Sequence, residues 1–246
     1  MVKLSKRLQA VADLVTTGNR VCDVGTDHAY IPIFLVQNHR IPAALAMDVN
    51  EGPLLRAREH ILEEKMDNYI VTRRSDGLKR LKTGEAETII IAGMGGGLVL
   101  RILEESFGKL EAVKELILQP QSDIEQVRRY VEDKGFEIVQ NLIVYEDGKY
   151  YFMFRCVHSG ELREPNRKII YDRYGKQLIQ QNHPVLRAFL EKEESQLFRI
   201  RESLLKQKDS ETAAARHCEI QEKLERIREA REEMEESCTA EKSFGS

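Results

Sequence analysis

"FEIVQNLIVYEDGKYYFMFRCV", residues 136–157, holds two long β-rich runs separated by Glu146-Asp147-Gly148-Lys149. Asp-Gly between such runs is a hairpin signal, because both residues tolerate the positive φ that a two-residue turn demands. A hairpin makes its two strands antiparallel. What precedes it alternates differently, short β-rich runs with helical segments, which is the pattern of a parallel α/β sheet. The chain up to about residue 158 therefore reads as a parallel sheet that ends in an antiparallel strand.

Working back from the hairpin, "RVCDV" (20–24) reads as the first strand and "HAYIPIFLVQN" as the helix after it. "AALAMDV" (43–49) is the second strand, followed by the helix "EGPLLRAREHILEEKM", with Leu55, Glu59 and Leu62 at helical spacing. "YIVTRR" (69–74) is the third strand and stops at the turn "SDG". "ETIIIAG" (87–93) is a continuous apolar run, as expected of a strand buried on both faces, and a helix follows from about Gly97 to Ser106. "KELILQP" is the fifth strand; "DIEQVRRYVEDKG" (123–135) is a helix with an acidic start and a glycine stop.

After Ser159 the composition shifts. "HSGELREPNRK" reads as a linker, and the remainder is dense in Glu, Lys, Arg, Gln and Leu. Leu197, Ile200 and Leu204 step by three and four, as do His217, Ile220, Leu224, Ile227, Arg231 and Met234 after "KQKDSET". Two heptad-like helices joined by a polar turn predict an antiparallel coiled-coil-like hairpin with a frayed tail. The expected division is an α/β domain over 1–159 and a helical domain over 160–246.

Of the 246 residues, 41% are hydrophobic, enough for a real core, and 32% are charged, concentrated late in the chain. The four cysteines, Cys22, Cys156, Cys218 and Cys238, are scattered with no C-x-x-C pair, which fits neither a disulfide framework nor a zinc site. No metal is expected, and a reducing cytoplasm is the simpler home. "MVKLSKRLQAVADLV" reads as an amphipathic helix and not a signal peptide, and no apolar run is long enough to span a bilayer. Net charge is −3 and pI about 6.1, so charge alone does not announce a nucleic-acid binder.

In an open α/β sheet, ligands bind at the carboxyl ends of the strands near the point where the strand order reverses. Four turns fall at such ends: "DVGTDHAY" (23–30), "MDVN", "SDG" and "AGMGGG". Gly25 permits close backbone approach, and the helix after it offers amide groups. Asp48 lies where an acid commonly hydrogen-bonds ribose hydroxyls. Asp76, with Gly77, is placed to accept from an exocyclic amine such as that of adenine. Gly93 and Met94 would expose backbone across the crevice. Singly, each has an ordinary reading: Asp23 or Asp27 as a helix cap, Asp76-Gly77 as a surface turn, Gly95-Gly96-Gly97 as a packing device. Their shared edge is what points to a site. His28, beside Asp27, is a catalytic candidate, although a lone histidine at a helix start is ordinarily a surface residue. His39, His60, His158, His183 and His217 read as structural or solvated.

A dinucleotide site would need G-x-G-x-x-G after the first strand. Here Asp27 holds the second glycine's place, so a pyrophosphate would meet a carboxylate. S-adenosylmethionine carries a sulfonium, an ammonium, a ribose and an adenine but no phosphate, and it suits a crevice lined by Asp23, Asp27, Asp48 and Asp76.

These residues and the terminal hairpin resemble a class I S-adenosylmethionine-dependent methyltransferase, a Rossmann-like seven-stranded sheet with its last strand antiparallel. "LSKRL", "DVGTDHAY", "SDGL", "IAGMGG" and "LILQP", with a coiled-coil-like tail, are similar to the bacterial tRNA (adenine-22-N1)-methyltransferase family. The likeness runs from about residue 3 to 158. It implies methyl transfer to N1 of an adenine in the D-arm of tRNA, with Arg7 of "LSKRL" reaching the cofactor carboxylate or a phosphate, and Asp27 facing the target base. Candidate RNA contacts are Lys3, Lys6 and Arg7; Arg73 and Arg74; Lys79, Arg80 and Lys82; and Arg163, Arg167, Lys168 and Arg173, although a charged helix face is ordinarily just solvated. A methyltransferase of small molecules or proteins, or a non-catalytic coiled-coil module, would share many of these features. Oligomeric state is not readable.

Overall fold

The computed structural model describes residues 2–159, 168–205 and 211–243. The chain forms two compact units, Met1–Glu164 and Pro165–Ser246.

In the first unit the elements are α1 (Lys6–Asp13), β1 (Val21–Val24), α2 (Tyr30–Gln37), β2 (Ala44–Asp48), α3 (Glu51–Glu63), β3 (Ile70–Arg74), β4 (Thr88–Met94), α4 (Gly96–Glu105), α5 (Phe107–Leu110), β5 (Glu115–Pro120), α6 (Ile124–Asp133), β6 (Phe136–Glu146) and β7 (Lys149–His158). They build a seven-stranded sheet in the order β3-β2-β1-β4-β5-β7-β6. Only β7 runs against its neighbours, β5 on one side and β6 on the other. The hairpin closes at the pair Glu146–Lys149, and its two turn residues, Asp147 (φ 49°) and Gly148 (φ 80°), both take the left-handed conformation that a tight hairpin requires.

Successive side chains of a strand point to opposite faces, so a strand covered on both sides must be apolar throughout. In β4, Ile89 and Ile91 join one core with α4 and α6 residues such as Val99, Leu103 and Val127, while Ile90 joins the opposite core with Val11, Ile33 and Ala57 from α1, α2 and α3. The face of α3 differs from expectation. Leu54, Ala57 and Ile61 are buried, whereas Leu55 and Leu62 are exposed. Both stripes satisfy the helical period, and the turn out of β2 selects the one that meets the sheet.

α1 is fixed at both ends. The Glu146 carboxylate, at the tip of the hairpin, accepts the amides of Lys6 (2.6 Å) and Arg7 (3.2 Å), and Ser5 caps Leu8. Burial works against it, but those two donors hold the Glu146 carboxyl below its ordinary value. Beyond the other end of α1, Thr16 and Asn19 converge with Thr88 and Arg155 on the buried Glu115 carboxylate. The segment that carries Arg7 is thereby tied to the end of β6 and to the start of β5.

In the second unit lie α7 (Ile169–Tyr174), α8 (Lys176–Gln180), α9 (Pro184–Leu205) and α10 (Glu211–Ser243). α7 and α8 stand where the sequence pattern gave no separate elements. The buried stripe of α9 is Leu186, Leu190 and Leu197, and Ile200 is exposed; the Tyr174 ring at the end of α7 meets Phe189 of α9 at 6.3 Å. In α10 the stripe is Ile220, Leu224, Ile227, Ala230 and Met234. Arg231 sits beside that stripe and not in it, with its guanidinium 2.9 Å from Glu194. The turn "KQKDSET" lies largely outside the described residues.

No helix among the described residues is long and apolar enough to cross a membrane. Among them, no group of three or more His, Cys, Asp or Glu side chains could hold a metal ion.

Candidate active site

β1 and β4 are neighbours, yet the chain leaves β1 toward β2 and β4 toward β5. This reversal opens a crevice at their carboxyl ends. Val24 pairs with Ile91 in the last rung, and the chain then enters the Gly25 turn on one side and Ala92–Gly93–Met94 on the other. The amides of Gly25 and Thr26 both donate to Met47 O, at 2.8 and 3.0 Å. Gly25 has φ 76°, and a Cβ there would lie 2.1 Å from the Met94 methyl group. Any side chain at this position would displace Met94 from the crevice floor.

Three of the candidate acids stand along this edge. Asp23 lies within β1 and is only 7% exposed. Burial pushes its carboxyl up to about 6, against the Thr26 hydroxyl and reinforced by the Asp48 charge. Asp48 ends β2 and accepts the Asn50 amide at 2.8 Å. Asp76 follows β3, with its oxygens 2.6 Å from Lys79 Nζ and 3.2 Å from Arg101 Nη2. The Lys79 ammonium holds it below the usual carboxylate range. Gly77 packs against Ile102 of α4, so its lack of a side chain answers a packing demand.

Asp27 turns to a different neighbour. It is largely exposed, 2.5 Å from Arg56 of α3 and 3.4 Å from His28 Nε2. It does not cap α2: the cap position is Ala29, left-handed at φ 54°, with no side-chain cap bond. His28 packs with Tyr30 and His60, the three ring centroids 5.1–5.3 Å apart and the planes within 22° of parallel. All three separations are alike, so the rings form a triangle and not a column. His60 thus joins the site's flank, a contact across two helices that its sequence surroundings do not reveal.

The β4–β5 ladder shifts register between Ala92 and Met94, leaving Gly93 (φ 79°) in a bulge. Its amide donates to Gln119 Oε1 at 3.1 Å, and the same oxygen accepts Arg7 Nη1 at 2.9 Å. The Arg7 guanidinium lies over the Tyr151 ring, 5.5 Å from its centre. Gln119 is absent from the sequence candidates. The signal available was a glutamine next to the end of the otherwise apolar run "LILQP".

The basic candidates divide. Arg73 forms a two-pronged pair with Glu85 at 2.6 Å, Lys79 also contacts Glu105, Arg74 donates to Val49 O, Arg173 pairs with Glu193 and Lys168 with Glu233. Lys3, Lys6, Arg80 and Lys82 are exposed. Arg163 and Arg167 lie outside the described residues.

The sheet order, the antiparallel β7 and the acid-lined crevice at the β1/β4 reversal define a Rossmann-like class I methyltransferase fold. The Methyltransferase domain family matches residues 4–154. The tRNA (adenine(22)-N(1))-methyltransferase of Bacillus subtilis (strain 168) is 40% identical over 150 residues, 61% of this chain and 63% of that protein. That alignment therefore spans less than two thirds of the relative's length. Among solved structures, the B. subtilis m1A22 tRNA methyltransferase TrmK superposes with a TM-score of 0.83 at 30% identity, covering 94% of this chain and 100% of that one. Streptococcus pneumoniae Sp1610 in complex with S-adenosyl-L-methionine gives 0.81 at 34% identity, with 94% and 100% covered. M. capricolum TrmK in complex with S-adenosyl-homocysteine gives 0.81 at 26%, with 94% and 99% covered. The chain belongs to the bacterial tRNA (adenine-22-N1)-methyltransferase family.

Proposed function

We propose that the protein is a cytoplasmic enzyme that transfers a methyl group from S-adenosylmethionine to N1 of adenine 22 in the D-arm of tRNA. The observation that carries this reading is the buried Asp23 at the strand-order reversal, an acid with no cation paired to it among the described residues, beside Gly25 and Asp48. Such a carboxylate favours a cationic ligand and repels a diphosphate. The residues present fit the cofactor: Arg7 for its carboxylate, Asp23 and the Gly25 turn for its amino-acid end, Asp48 for the ribose hydroxyls, and Asp76 with Gly77 for the adenine. S-adenosylmethionine supplies an electrophilic methyl group on a sulfonium.

Adenine N1 already holds a lone pair in the ring plane, so the protein has no proton to remove before attack. Its task is alignment, which accounts for a large share of such rate gains, together with stabilising the positive charge that appears on the base. The backbone at Gly93 and Met94 flanks the transfer path. Asp27, with His28 beside it, is the acid we assign to the charge on the base. N1 lies on the pairing edge, so the target base must be exposed or flipped to enter. Exposed Lys3 and Lys6, with Arg163, Arg167 and Lys168, are the proposed phosphate contacts.

The test is mass spectrometry of tRNA nucleosides after incubation with isotopically labelled S-adenosylmethionine. The expected product is labelled 1-methyladenosine, lost when adenine 22 is replaced. Labelling that survives the replacement, or none at all, overturns the reading.

A further inference from the structure

Gln119 is the penultimate residue of the buried strand β5 and has no exposed surface. Its amide oxygen accepts from two elements at once, the bulged Gly93 amide of β4 and the Arg7 guanidinium of α1. Both neighbours are obligate donors, so the amide has only one satisfactory orientation; turned over, it would set N–H against N–H. A carbonyl oxygen has two lone pairs, and here both are used. Neither partner has an equivalent alternative in its own element. The ladder skips Gly93, and Arg7 reaches Gln119 from α1, a separate element. With one nitrogen on Gln119 and its face over Tyr151, Arg7 keeps further N–H groups of its five for a ligand.

We infer that Gln119 is a positioning residue for the cofactor: it fixes the Arg7 guanidinium and the Gly93 bulge as one unit, so that the ligand's carboxylate meets a preset cation. This rests on the function proposed above. The residue touches neither ligand nor reacting atoms, and its effect passes through Arg7.

The experiment measures S-adenosylhomocysteine binding by calorimetry, and steady-state methylation of tRNA, for the full chain and five variants. Gln119→Met keeps the shape and removes the acceptor. It should weaken binding about tenfold or more, the size expected for a lost hydrogen bond to a charged group. It should also raise KM for S-adenosylmethionine more than it lowers kcat. A merely structural role would reduce the folded fraction and leave KM in place. Gln119→Asn, which keeps the amide but withdraws the oxygen by one carbon, should show the same loss. Gln119→Glu restores an acceptor for both donors but sets a negative charge beside the ligand's carboxylate, so it should recover only part of the affinity lost in the Met variant. In an Arg7→Ala background, Gln119→Met should add little to the loss of affinity, because the two act as a unit. Wild-type affinity in both the Met and Asn variants, or a full additional penalty in the Arg7→Ala background, overturns the inference. Failure of the unaltered chain to bind S-adenosylhomocysteine would instead overturn the proposed function.

Discussion

Asp23 is a carboxylate the fold keeps at a cost. Its folded value near 6 stands above the ordinary 3.8, so the folded protein holds a proton that the unfolded chain has released. Stability of the free protein should therefore fall as pH rises from about 4 to about 6, and remain lower above that. Asp23→Asn removes this penalty. The variant is expected to be more stable than wild type at pH 8 by up to about 3 kcal/mol, with the gap closing by pH 4, as read by thermal melts. A cationic ligand reverses the balance, because it favours the ionised carboxylate. Cofactor affinity should rise with pH through 6 and release a proton, and in Asp23→Asn this dependence should flatten. Equal proton release by both proteins in paired-buffer calorimetry at pH 6 would remove Asp23 from the ligand. Asp27 calls for a different readout. Asp27→Asn keeps size and hydrogen bonding and deletes the charge, so kcat should drop while tRNA affinity barely changes. The structure shows Asn would lose no helix cap there. A normal rate and normal cofactor affinity would mean that Asp27 serves only to hold Arg56 and His28.

The element that links the hairpin to the crevice is α1. The turn at Asp147-Gly148 sets Glu146, Glu146 holds the first amides of α1, and α1 presents Arg7. A Cβ on Gly148 would meet nothing within 4 Å, so Gly148→Ala isolates the backbone penalty of φ 80°. It should cost about 1 kcal/mol in denaturant melts, with cofactor affinity unchanged, because the strand pairing that places Glu146 survives. A tenfold loss of affinity would instead mean that the turn shapes the site directly. The same elements show what a single sequence can disclose. Asp-Gly and the even spacing of β-rich runs reported the strands and their sense, because those depend on local φ and on period. Which stripe of α3 faces the sheet was not legible, since Leu54–Ala57–Ile61 and Leu55–Glu59–Leu62 are equally periodic. The acids at strand ends were legible as a set because the topology puts strand ends together. Arg56 on Asp27, His60 on His28 and Gln119 on Arg7 join residues 29, 32 and 112 positions apart, and such pairings belong to packing alone.

At the scale of the whole molecule, the described cofactor candidates, from Arg7 to Met94, and both sheet cores lie in the first unit. A protein of net charge −3 has no long-range pull on a polyanion, so RNA must be gripped by local cations whose phosphate contacts are salt-sensitive. On the proposed function the charged helical unit would supply surface for that grip; it carries none of the described cofactor candidates. A chain ending at Ser159 is therefore expected to bind S-adenosylhomocysteine within about twofold of the full protein, while its KM for tRNA rises about tenfold or more. Circular dichroism must first show that the shortened chain keeps its α/β signal, since a misfolded chain would lose both activities together. The salt slope of tRNA binding gives an independent reading: losing phosphate contacts lowers its magnitude by close to one per contact. Undiminished methylation with an unchanged slope would mean that the helical unit does other work, such as pairing two copies of the chain, and sedimentation of the two proteins at matched concentration would then tell them apart.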